Sequence, residues 1–120
     1  MELKGRYIIL DRELNELDIF ALDFLEILKK HTLYVVISGY ISILLGRTRA
    51  TEDIDVYINF LSKEVFLQLY NELDMQGFWC LNVENADEVY SYLYDGLAVR
   101  FSRKGNSIPN FEVKFIRRFY

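Results

Sequence analysis

The chain has 120 residues, 52% of them apolar, with 14 Lys and Arg against 18 Asp and Glu for a formal charge of -4. That length suits one domain with its own hydrophobic core, and that apolar content excludes a disordered chain. The acidic balance argues against general nucleic-acid binding, which works by neutralising phosphates.

One Cys, Cys80, and one His, His31, exclude an internal disulfide and a four-ligand structural zinc site. Any metal must be held mainly by oxygen, which points to Mg2+ or Mn2+. The apolar run before Asp11 is too short for a secretory signal, and no stretch approaches the ~20 apolar residues of a membrane span. A soluble, cytoplasmic protein without membrane association is expected. The only Pro is Pro109, and no repeat, linker or low-complexity tract is present. Residues 1–120 are therefore read as one domain.

Residues 12–30 have helical periodicity, with Leu14, Leu17, Ala21, Phe24, Leu25 and Leu28 on one face and Asp11 as the N-cap. Lys29, Lys30 and His31 suit the negative end of that helix dipole. Residues 33–38, LYVVIS, form an apolar, β-branched run that predicts a buried strand. A short helix is expected over 40–45, ending at Gly46. Residues 53–60 alternate, with Ile54, Val56 and Ile58 on one side and Asp53, Asp55 and Tyr57 on the other.

Ser62 is expected to cap a helix to about residue 75 with Phe66, Leu69, Tyr70 and Leu73 inward, stopped by Gly77. Residues 78–81 suggest a short strand containing a core thiol, Cys80. Residues 85–93 fit either a helix or an irregular connection. Tyr90, Tyr92 and Tyr94 fit a strand face, a helix face or an interface. Strands are predicted over 97–102 and 111–116, joined as a hairpin by a turn-rich segment. The order predicts an α+β fold, a mixed β-sheet flanked by helices.

Chemistry concentrates in residues 35–58. A strand ending at Ser38-Gly39 before a helix lets backbone amides and the dipole meet a phosphate, with Ser38 or Ser42 adding a hydroxyl. The same pattern also serves simply to turn the chain. Asp53 and Asp55 lie on one side of a strand, about 6.5–7 Å apart. Their repulsion is relieved by a divalent cation, or by solvent on an edge strand that acidic groups protect from pairing. Arg47 and Arg49 offer guanidinium forks for phosphate oxygens, or face solvent in a charged loop.

Residues 38–58, SGYISILLGRTRATEDIDVYI, resemble the nucleotidyltransferase superfamily, which includes minimal nucleotidyltransferases, polymerase-beta-like enzymes and abortive-infection-type toxins. The likeness is closest to small prokaryotic members with a Gly-Arg-x-Arg-x-Thr-x-Asp-x-Asp run, met by Gly46, Arg47, Arg49, Thr51, Asp53 and Asp55. It covers about a fifth of the chain closely. It implies the nucleotidyltransferase fold and a nucleotide site formed by Ser38, Gly39, Ser42, Arg47, Arg49, Thr51 and Lys114. It also implies a third carboxylate on a later strand, for which Glu112 is the best position. Glu112 replaces the family's usual Asp and can instead pair with Lys114 on a solvated strand face. Gly39-Tyr40 replaces the usual Gly-Ser or Gly-Gly. The family's following helical domain has no counterpart after Tyr120, so the resemblance implies a truncated form or a partner surface supplied by another chain.

The implied reaction moves a nucleoside monophosphate from a nucleoside triphosphate to a hydroxyl acceptor and releases pyrophosphate. Asp53, Asp55 and Glu112 would be the catalytic carboxylates, holding two Mg2+ or Mn2+ ions about 3.5–4 Å apart. The acceptor is a protein, an RNA or a small molecule. Two other readings remain: an inactive nucleotide- or metal-binding module, and an interaction partner in a toxin–antitoxin pair, as a homo- or hetero-oligomer.

Overall fold

The computed structural model describes residues 2–4, 7–9, 16–36 and 53–116. Two short strands, β1 (Glu2–Lys4) and β2 (Tyr7–Ile9), pair antiparallel as a separate two-stranded sheet. They were not anticipated from the sequence. Among the described residues the main sheet has five strands: β3 (Tyr34–Val36), β4 (Asp53–Ile58), β5 (Phe78–Cys80), β6 (Val99–Arg103) and β7 (Asn110–Phe115). Their spatial order is β3-β4-β7-β6-β5. Only the β4–β7 pair is parallel, so the sheet is mixed, as expected for an α+β protein.

Helix α1 (Glu16–His31) buries Phe20, Ala21, Phe24, Leu25, Ile27 and Leu28. The expected cap Asp11 and Leu14 lie outside the described residues, as do the helix predicted over 40–45 and the C-terminal Phe119 and Tyr120. The apolar stripe of α1 meets one sheet face. Phe24 stacks on Phe111 at 4.3 Å between ring centroids, and its ring lies 5.3 Å from Phe78 and 5.9 Å from Phe101. Ile54, Val56 and Ile58 of β4 and Phe111, Val113 and Phe115 of β7 belong to the same core.

Helix α2 (Lys63–Met75) starts at Ser62, whose Oγ accepts the Val65 amide at 3.3 Å, as the sequence predicts. Phe66, Leu69 and Leu73 are buried, and Tyr70 is half-buried. After Met75 the chain reverses at Gly77, whose φ of +91° is the left-handed conformation that favours glycine. Residues 86–94 are helical and form α3 (Ala86–Tyr94). Asn85 Oδ1 accepts the Glu88 amide, and Asn85 Nδ2 donates to the Glu88 carboxylate. On α3, Tyr90 turns inward and its hydroxyl donates to the Leu61 carbonyl at 2.8 Å, while Tyr92 and Tyr94 are exposed. Burial raises the pKa of the Tyr70 and Tyr90 phenols and of the Cys80 thiol.

Two sequence expectations need correction. Of the strand expected over 33–38, Tyr34–Val36 is observed and residues 37–38 lie outside the described residues. Among the described strands it lies at the sheet edge instead of being buried, with Val35 54% exposed. A short β-branched run does not distinguish an edge from a centre. Conversely, β4 is an interior strand between β3 and β7, so its acidic residues do not protect a sheet edge.

The α1–α2 contact carries a polar clasp. Lys30 Nζ donates to Glu72 Oε2, and His31 Nε2 meets Glu72 Oε1, both at 2.8 Å. His31 therefore joins the dipole end of α1 to α2. Hydrogen bonds from Lys30 and then His31 lower the Glu72 pKa. A carboxyl group with a depressed folded pKa contributes stability above its unfolded pKa and loses it as pH falls through the folded value. Glu72→Gln should slightly lower the denaturant midpoint at about pH 6, and the gap should close as pH drops below the usual carboxylate range. A gap that persists undiminished in strong acid would count against this clasp. Among the described residues, no helix is long and apolar enough to cross a membrane.

Candidate functional site

The alternation of β4 divides its side chains cleanly. Ile54, Val56 and Ile58 enter the core, and Asp53, Asp55 and Tyr57 are exposed on the opposite face. The parallel register of β4 with β7 then sets Asp53 beside Asn110, Asp55 beside Glu112 and Tyr57 beside Lys114. On the far side of β7, Arg100 of β6 pairs with Glu112. Neighbouring strands lie about 4.8 Å apart, so these side chains stand within reach of one another. The face remote from the helices thus carries three carboxylates in two adjacent strands, flanked by Lys114 and Arg100.

Of the residues predicted from the sequence, Asp53, Asp55, Glu112 and Lys114 share this face. Ser38, Gly39, Ser42, Arg47, Arg49 and Thr51 lie outside the described residues. The cation beside Glu112 is Arg100, with Nη2 3.8 Å from Oε2. The alternative reading of Glu112, a pair with Lys114, is thus met by a different cation.

Two participants were not recognised from the sequence. Arg100 is legible in retrospect, because it is the polar residue between inward Val99 and Phe101. Asn110 gave no such signal, since it closes a turn-rich segment. It is 4% exposed, and its Nδ2 donates to Asp53 Oδ1 at 2.9 Å and to the Ser107 carbonyl at 3.2 Å. Among the described residues, Asn110 Oδ1 is buried without a donor.

The chemistry of the set would suit a hard divalent cation, because every candidate ligand is a carboxylate oxygen and the three project from one face. As the side chains stand, no group of three or more His, Cys, Asp or Glu among the described residues is arranged to hold a metal ion. Asp53 is engaged by Asn110 and Glu112 by Arg100. A cation shared by the three carboxylates would have to displace Arg100 from Glu112, an exposed pair worth little. The backbone already supplies adjacent strands in register.

Compared with known proteins, the chain matches no protein-family model, no curated protein and no solved structure.

Proposed function

We propose that this chain is a nucleotidyltransferase-type domain that moves a nucleoside monophosphate from a nucleoside triphosphate to a hydroxyl acceptor. The observation that carries this reading is the register Asp55↔Glu112, which brings a carboxylate from a distant strand onto the face of Asp53 and Asp55. Asp53, Asp55 and Glu112 would hold Mg2+ or Mn2+, and the bound cation would neutralise phosphate charge and acidify the acceptor hydroxyl.

The chain's own groups have separate tasks. The carboxylates orient the site from a rigid interior strand pair. Lys114, two residues beyond Glu112 on the same face, draws phosphate oxygens towards one end of the face. Ser38, Gly39, Ser42, Arg47, Arg49 and Thr51 enter this proposal on the sequence resemblance. Pyrophosphate departs with its charge met by cationic side chains. The fold does not choose among protein, RNA and small-molecule acceptors.

A second reading keeps the arrangement without turnover. The Arg100–Glu112 pair favours it, because an arginine beside the third carboxylate competes with a cation. Calorimetry with Mg2+ and each nucleoside triphosphate, followed by a transfer assay with labelled nucleotide, separates the two. Binding with transfer supports the enzyme. Binding without transfer supports the inactive module. Absence of binding to every triphosphate overturns both.

A further inference from the structure

Asn110 is a buried polar residue bonded to the acidic face, and its hydrogen bonds are unevenly met. Both hydrogens of its amide are committed, one to Asp53 Oδ1 and one to the Ser107 carbonyl. Its oxygen is buried and receives no donor among the described residues. Flipping the amide offers no relief, because Oδ1 would then face a carboxylate oxygen and a carbonyl oxygen. A leucine has the same branching and no acceptor of its own to bury, but it would leave Asp53 Oδ1 and the Ser107 carbonyl without this donor. Packing alone therefore does not account for asparagine here; its two donated bonds do, and the shorter of them goes to Asp53.

On the reading of this face as a cation site, we infer that Asn110 is a positioning residue for Asp53. It ties one carboxylate oxygen to the sheet and sets the plane in which the carboxylate meets a cation. It acts through Asp53, because it is itself almost wholly buried. Residues that orient a ligand in this way commonly matter roughly 10–100-fold to metal affinity.

A neighbouring bond supplies the control. Ser102 Oγ donates to the Pro109 carbonyl at 2.7 Å, so it braces the same turn by a bond that bypasses Asp53. The test is Mn2+ binding to the full chain, followed by electron paramagnetic resonance. Wild type is compared with Asn110→Ala, Asn110→Leu, Ser102→Ala and Asp55→Asn, each checked by circular dichroism. Asn110→Leu keeps the branched shape, so it reads the lost donor if Asn110→Ala fails to fold.

The expected result is weakening of Mn2+ binding by roughly 10–100-fold in the Asn110 variants. Ser102→Ala should remain within about twofold of wild type. Wild-type affinity in the Asn110 variants, with binding lost in Asp55→Asn, overturns the inference alone. Equal weakening in Ser102→Ala also overturns it, since the turn and not the Asp53 contact would then be responsible. No Mn2+ binding by wild type, or undiminished binding by Asp55→Asn, overturns the underlying reading and this inference with it.

Discussion

Asp55→Asn is expected to reduce nucleotidyl transfer on the order of 100- to 1,000-fold or more, the scale seen when a positioned electrostatic group is removed. The change is nearly isosteric and falls on an exposed side chain of an interior strand. The amide keeps the shape but lacks the charge that would balance a cation. Stability should stay within about 0.5 kcal/mol of wild type, as for surface changes remote from the core. Transfer of labelled nucleotide, measured alongside denaturant unfolding, checks both statements. Full activity in the variant would remove Asp55 from the chemistry. Loss of activity together with loss of the fold would show only that Asp55 supports the sheet. Because Asp55 and Glu112 are register partners, Glu112→Gln should fall in the same class.

The largest stability loss is expected at Phe24. Its ring is fully buried and touches Phe20 of its own helix and Phe78, Phe101 and Phe111 of three strands. Phe24→Ala leaves a cavity where α1 meets the sheet and should cost about 3–5 kcal/mol. Domains are typically stable by about 5–15 kcal/mol, so the variant should be close to unfolding. Urea denaturation measures this directly. Tyr94→Ala provides the contrast, because Tyr94 is 59% exposed and contacts other rings at the surface. A loss at Tyr94 equal to that at Phe24 would mean that the aromatic cluster around Phe24 is not the centre of the core.

Local signals were the legible part of this chain. Ser62 and Gly77 bracket α2 because a hydroxyl cap and a left-handed turn are single-residue properties. The alternation of residues 53–58 correctly separated the core face of β4 from its acidic face. The interior position of β4 was not legible, because strand order depends on pairings between distant segments. The same reason hid the edge position of β3. The helix over 86–94 had a usable signal in Asn85 and Glu88, a reciprocal cap three residues apart. At the candidate site, residue type and alternation singled out Asp53 and Asp55, the family resemblance added Glu112 and Lys114, and the register shows only that the four share a face. Asn110 escaped notice because its role depends on a partner 57 residues away.

That separation has a consequence for how the site comes into being. Strands β4 and β7 are neighbours in space, yet α2, β5, α3 and β6 are threaded between them. Asp55 acquires Glu112 as a neighbour only after the chain has been synthesised through β7 and that strand has docked in the middle of the sheet. Pairing over such a distance closes late, since the loop entropy must be met before any contact rewards it. A nascent or misfolded chain therefore holds two acidic residues on β4 without the third. The acidic constellation depends on β7 having docked, so competence for cation binding would report that β7 is in place.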